Sequence, residues 1–258
     1  MPDPVDSTDS SAQAFQFTAA AFKDPLKELM SLTNSLQVID VPVVEVESNA
    51  DLEGYGCLID SLDDMTTENK KFEIVKWPVS GWRQLDPSTG DEAGTTEGPF
   101  EVEWKGDFFR GKNLAINTPA NEYLDGLGTS DFANATDAGD GVGGSEDAIY
   151  LWMTDYHPCG GQLFMPQTCS VGDVSSMPFF MCLAKASVGD DVNPSDMVGF
   201  KIPPGKGAYI HPNVWHNGFY VNRRYGRVKA ITRQSRVHAR VSASWANERG
   251  VLLKMPLK

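Results

Sequence analysis

Tyr209-Ile210-His211-Pro212-Asn213-Val214-Trp215-His216-Asn217 decides how the C-terminal half of this chain is read. The stretch holds two of the four histidines in the chain, five positions apart, in a turn-rich setting flanked by apolar residues. Upstream, His157-Pro158-Cys159-Gly160-Gly161-Gln162 adds a third histidine and a polar amide. Imidazole exchanges protons near neutral pH and is a common metal ligand. Three of the four histidines in two short motifs point to one site rather than scatter. The plain alternative is that these histidines cap turns and satisfy backbone groups.

Around these motifs the pattern after residue 148 is dense in strands. Candidates are Ile149–Thr154, Gln162–Met165, Phe179–Ala184, Met197–Ile202, Gly207–Ile210, Gly218–Val221, Val228–Thr232, Val237–Ser244 and Val251–Met255. Turns such as Val188-Gly189-Asp190-Asp191 and Pro203-Pro204-Gly205-Lys206-Gly207 separate them. Many short strands spaced by about ten residues predict a sandwich or barrel. Further upstream, Leu36–Glu47 is rich in valine and reads as a strand, and Gly54-Tyr55-Gly56 is a turn leading into Cys57-Leu58-Ile59. Phe72–Trp77 and Phe100–Trp104 alternate and read as strands. Residues 1–34 are expected to hold a disordered tail and a short helix over Asp24–Thr33, with Asp24 as cap and Pro25 at its first position. Residues 35–258 are expected to form one β domain with polar loop insertions near 86–98 and 125–147. Within the second insertion Asp137, Asp140 and Glu146 do not fit the ligand register of a calcium loop.

The formal charge is −13, from 22 basic and 35 acidic residues. An acidic surface repels nucleic acid and anionic membranes, so neither is an expected partner. An anionic ligand would need local cations, and the C-terminal third supplies Arg223, Arg224, Arg227, Lys229, Arg233, Arg236 and Arg240. Cys57, Cys159, Cys169 and Cys182 show no CxxC spacing, which argues against a zinc knuckle. The N-terminus lacks a basic region followed by an apolar one, and no run reaches the roughly 18 apolar residues of a membrane span. The expectation is a soluble, cytoplasmic protein with reduced thiols. Cys159 reads as buried and inert, since no activating partner can be placed beside it.

Gly54-Tyr55-Gly56, His157 to Gln162 followed by Leu163-Phe164-Met165-Pro166, then Val188-Gly189-Asp190-Asp191 and Tyr209 to His216 occur in a telling order. From about Leu36 to the C-terminus the chain resembles the ureidoglycolate lyase (ureidoglycolate hydrolase) family of cupins. It departs from compact members of that family in its tail and its two polar insertions. The resemblance implies an all-β fold of the cupin double-stranded β-helix type, a jelly-roll-like barrel with its ligand at the open end.

Ureidoglycolate is a carbinolamine bearing a carboxylate. Releasing glyoxylate and urea needs a base for the hydroxyl proton, an acid for the departing nitrogen and a cation for the carboxylate. His211, His216 and His157 are the candidate acid/base residues. Arg233 aligns by resemblance with the carboxylate clamp, the alternative being a surface ion pair. Lys185 and Lys201 are substitutes. Gln162, Tyr209 and Trp215 are candidate substrate contacts, Tyr156 a weaker one, and Trp215 could equally be core. The resemblance also permits a divalent metal on His157, Gln162, His211 and His216. With glutamine in place of a charged ligand, such a metal is expected to be absent or weakly bound. His238 reads as structural. A different metal-dependent reaction on a small carboxylate and a non-catalytic ligand-binding cupin are the alternatives. Cupins commonly pair through edge strands, so a homodimer is expected.

Overall fold

The computed structural model describes residues 36–64, 81–83, 95–115, 122–130, 148–158, 160–235 and 240–258. The expected N-terminal helix, the Phe72–Trp77 strand, Cys159 and His238 lie outside these residues. In chain order the strands are β1 (Gln37–Asp40), β2 (Val43–Glu45), β3 (Gly56–Ile59), β4 (Thr95–Lys105), β5 (Phe108–Asn113), β6 (Glu122–Leu127), β7 (Ala148–Leu151) and β8 (Met153–Tyr156). They continue with β9 (Gln162–Cys169), β10 (Phe179–Ala184), β11 (Val198–Ile202), β12 (Gly207–Ile210), β13 (Trp215–Tyr220), β14 (Val228–Ser235), β15 (Val241–Ser244) and β16 (Val251–Pro256). One short helix, α1 (Trp245–Arg249), joins the last two.

The strands form two sheets. The larger runs β1-β16-β7-β6-β5-β4-β14-β9-β12-β3 and the smaller β15-β8-β13-β10-β11-β2. The chain is therefore mostly β, and among the described residues both sheets are open rather than closed into a barrel. No helix among the described residues is long and apolar enough to cross a membrane.

Local sequence explains several of these elements. Phe179-Phe180-Met181-Cys182-Leu183-Ala184 is buried at every position. It lies between β13 and β11, covered on both faces, so it reads as a continuous apolar run instead of an alternation. The expected strand over Leu36–Glu47 is split at Val41-Pro42. Its first half adds to the large sheet parallel to β16, and its second half adds to the small sheet parallel to β11. Proline has no N–H to continue a ladder, which permits the chain to change sheets there.

Two expected loops are shorter than the sequence implied. Thr95–Gly98 belongs to β4 and pairs with Ser235–Thr232 of β14. Asp125–Leu127 belongs to β6, where Gly126 and Leu127 pair with Phe109 and Phe108. In both cases cross-strand pairing overrides a polar, glycine-containing sequence with no strong period of its own. Gly56 shows a different constraint. A Cβ at this position would stand 1.8 Å from the Tyr209 carbonyl oxygen, so glycine permits β3 to press against β12.

The core lies where the sheets face each other. Phe219 of the small sheet contacts Phe100 and Phe164 of the large sheet, with ring centroids 6.5 and 5.9 Å away. Phe179 completes the group at 4.6 Å from Phe219. Nearby, Phe109 and Tyr220 meet edge-on at 5.2 Å. Such aromatic pairs add about 0.5–1.5 kcal/mol each beyond the area they bury.

Candidate functional site

Two of the places where the chain crosses between the sheets are neighbouring turns. One leads from β8 of the small sheet to β9 of the large sheet and carries His157. The other leads from β12 of the large sheet to β13 of the small sheet and carries His211 to Val214. The turns are joined directly, because the Asn213 N–H donates to the His157 carbonyl at 3.1 Å. Asn213 adopts φ 63°, the left-handed conformation that asparagine tolerates better than most residues.

This junction brings His157 and His216 together, with ring centroids 4.8 Å apart. Asp155 joins them. It sits directly opposite His216 across the β8–β13 pair, and its Oδ1 lies 3.9 Å from His216 Nε2. One ligand atom from each of Asp155, His157 and His216 lies within 4.8 Å of the others. Both histidines are buried, and Asp155 is partly exposed, so the group opens toward solvent on its carboxylate side.

The tautomer of His216 follows from its partner. A carbonyl oxygen only accepts, so the 2.9 Å contact with the Val214 carbonyl requires the proton on Nδ1. In its neutral form the ring would then present the Nε2 lone pair toward Asp155. This is the arrangement that outer hydrogen bonds impose on metal-ligating and proton-accepting imidazoles. A separation of 3.9 Å exceeds a hydrogen bond, and two metal–ligand bonds of about 2.0–2.2 Å each would span it.

Charged and polar groups surround the trio. Arg240 Nη1 lies 3.6 Å from the other Asp155 oxygen. Ser242 is the second cross-strand neighbour of Asp155, so Ser242, Asp155 and His216 form a row on one face of three adjacent strands. The Ser242 hydroxyl oxygen is buried and has no hydrogen-bond partner among the described residues. Asp125 of β6 feels the same region. Burial, reinforced by the negative charge of Asp155, pushes its carboxyl up to about 7, against the opposing effects of Tyr220 and Arg240. Burial likewise holds the Tyr123 and Tyr220 hydroxyls well above their ordinary range, with Asp125 adding to it.

Several expected site residues go elsewhere. His211 directly follows β12, with its ring 5.4 Å from Tyr209, and does not belong to the group formed by Asp155, His157 and His216. Tyr209 packs with Ile59 and Leu163 in a separate small apolar cluster. Trp215 points away from His216, because neighbours in a strand face opposite sides. Its ring packs edge-on against Tyr156 at 4.6 Å, and its Nε1 donates to the Gly189 carbonyl at 2.8 Å. Core filling, not lining a pocket beside His216, is its role. Tyr156 itself donates to Asp190 at 2.9 Å.

Arg233 is held in an ion pair with Glu97 at 2.5 Å, and its Nη1 donates to the Leu62 carbonyl at 3.3 Å. It lies between Thr232 and Gln234 on β14, whose side chains join the buried amide network, so it faces the other side of the sheet. The structure thus shows Arg233 in an ion pair, the alternative to a carboxylate clamp. Lys201 pairs with Glu45, and Lys185 lies over the Tyr55 ring. Gln162 is buried, and its amide donates to Gln234 at 2.8 Å and to Thr232 at 3.4 Å, while Asn113 donates to Gln234 at 3.2 Å. The Gln162 nitrogen is therefore engaged within the sheet.

Asp155, Asp125, Ser242 and Arg240 were not singled out as site residues by sequence. Asp155-Tyr156-His157 did contain a usable signal, because residues two apart on a strand share a face. No protein-family model matches this chain, and no curated protein matches it.

Proposed function

We propose that this chain is a cupin-type carbon–nitrogen lyase that cleaves a small carbinolamine α-hydroxy acid, with ureidoglycolate as the example, into glyoxylate and urea. The observation that carries the reading is the meeting of His157 and His216 beside Asp155 at the crossing between sheets. Two imidazoles and a carboxylate provide both proton acceptor and proton donor within one small group. His216, with Nδ1 engaged by Val214, takes the substrate hydroxyl proton at Nε2. His157 returns a proton to the departing urea nitrogen. Arg240, beside Asp155, holds the substrate carboxylate in place of Arg233.

A second reading rests on the donor set. Two histidines and one carboxylate match the ligand pattern of facial divalent-metal sites. Asp155, His157 and His216 would hold the ion, in place of a four-residue set that included Gln162 and His211. A bound divalent ion polarises a substrate hydroxyl and lowers its pKa. Around it Ser242 and Arg240 would orient the ligand, and the Val214 carbonyl would fix the His216 ring.

Urea release from ureidoglycolate by the purified protein tests the first reading. The wild type should turn over, and His157→Ala should lower the rate by about 10²–10⁴-fold. A wild type that releases no urea would remove this substrate. Metal content and titration separate the second reading from the first. Pairing of two copies through exposed sheet edges belongs to the same proposal. Sedimentation showing only monomer at micromolar concentration would remove that part.

A further inference from the structure

A buried arginine lies behind the histidine–carboxylate centre, contacting the chain beside two of its three members and linked to the third through Asp190. Arg83 is 6% exposed. Its Nη1 and Nη2 grip the two Glu248 oxygens at 2.8 and 2.6 Å in a two-pronged pair. Its Nε donates to the Asp190 carbonyl at 2.7 Å, and its backbone N–H donates to the Asp190 carboxylate at 2.6 Å. Nη1 also reaches the Ser242 carbonyl at 3.2 Å, and the guanidinium stands 5.7 Å from the centroid of the Trp215 ring.

These contacts map onto the centre. Ser242 is the cross-strand neighbour of Asp155. Trp215 directly precedes His216. Tyr156, bound to Asp190, lies between Asp155 and His157. The far end of the clamp is also fixed. Glu248 accepts from the Ser244 N–H at 2.8 Å, while the Ser244 hydroxyl accepts from the Asn247 N–H as the cap of α1, so the helix cap is tied to the residue that grips Arg83. Burial alone would raise the Glu248 carboxyl, but the Arg83 guanidinium and the Ser244 amide outweigh it and hold it below its ordinary value. Lysine lacks the planar fork that satisfies Glu248 and the Asp190 carbonyl together.

We propose that Arg83 is a positioning residue that fixes Asp155, His157 and His216 relative to one another by clamping Asp190, Glu248, Trp215 and the Ser242 backbone from behind. The proposal rests on reading those three residues as one functional centre. It is tested with full-length Arg83→Gln, Arg83→Lys and Glu248→Gln proteins, each compared with wild type well below its melting temperature. The first readout is the nitrogen-15 spectrum of the imidazoles, which reports tautomer and needs neither substrate nor metal. The second is binding of Co²⁺ followed by its visible absorption.

The wild type should show His216 as a single Nδ1–H tautomer. Arg83→Gln should move the His157 and His216 ring signals and weaken Co²⁺ binding by about tenfold, the lower end of what outer partners contribute. Arg83→Lys should restore part of both. If Arg83→Gln fails to fold, Glu248→Gln must show the same spectral displacement. A variant that melts earlier but keeps wild-type imidazole signals overturns the proposal and leaves Arg83 as a stabilising residue only. A wild type that neither binds Co²⁺ nor releases urea overturns the functional reading instead, while the imidazole signals still decide the role of Arg83.

Discussion

His211 directly follows β12 of the large sheet, partly exposed, with Tyr209 against its ring. His216, in β13 of the small sheet, is 6% exposed and lies against His157 and Asp155. The two belong to one nine-residue motif and occupy different chemical settings. The difference lies in the turn between them, which carries the chain from one sheet to the other. A histidine just past the end of the large-sheet strand stands edge-on to Tyr209. One carried across the turn meets the β8 edge, where Asp155 waits in register. A pair of histidines close in sequence is thus no sign of a shared site when a sheet crossing lies between them.

The contrast can be broken most directly by truncating each imidazole. His216→Ala should lower turnover by about 10²–10⁴-fold, the range of a lost proton-transfer group, whereas His211→Ala should leave the rate within a few-fold in the same assay. Equal losses would mean that both rings serve the chemistry. Asp155→Asn sharpens the comparison at the level of ligand affinity. Titration with Co²⁺ should show weakening greater than the roughly 10–100-fold that outer partners contribute. Unchanged affinity would take the carboxylate out of the donor set.

A pH series on Asp125→Asn probes the environment around Asp155. The folded carboxyl titrates near 7, against about 4 in an unfolded chain. Stability linked to this group is fully present below pH 4 and declines until the folded carboxyl has ionised, above pH 7. The variant escapes that decline, so its melting temperature relative to wild type should be higher at pH 8 than at pH 5. A difference independent of pH would show that Asp125 ionises as freely as in water. The smallest effect belongs to Arg233→Ala, which removes the Glu97 ion pair on the opposite face. Partly exposed pairs of this kind contribute about 0–1 kcal/mol, and steady-state kinetics should be unchanged.

The fold was legible where side chains alone dictate it. The uninterrupted apolar run Phe179–Ala184 and the short Gly207–Ile210 segment coincide with β10 and β12. β5 and β6 were not legible. Phe-Phe-Arg-Gly-Lys-Asn and Glu-Tyr-Leu-Asp-Gly-Leu carry charges and glycine, and become strands through pairing with each other and with their neighbours. The candidate site was legible in half. His157 and His216 stand out because histidine is rare here. Aspartate is common in this acidic chain, so Asp155 and Asp125 had no contrast against their background. Arg233 and Arg240 looked equivalent by composition. What distinguishes them is their partners, Glu97 across the β14–β4 pair for Arg233 and Asp155 for Arg240.

The hydrogen bond from the Asn213 N–H to the His157 carbonyl ties the two neighbouring turns together. Either turn can shift only if the other follows, so lengthening one of them by a residue would unseat both rings at once. Adaptation of this protein to a ligand of another size would therefore have to come from elements around this hinge pin rather than from the pin itself. A valine at 213, strained at positive φ, should act like a crowbar placed in that joint.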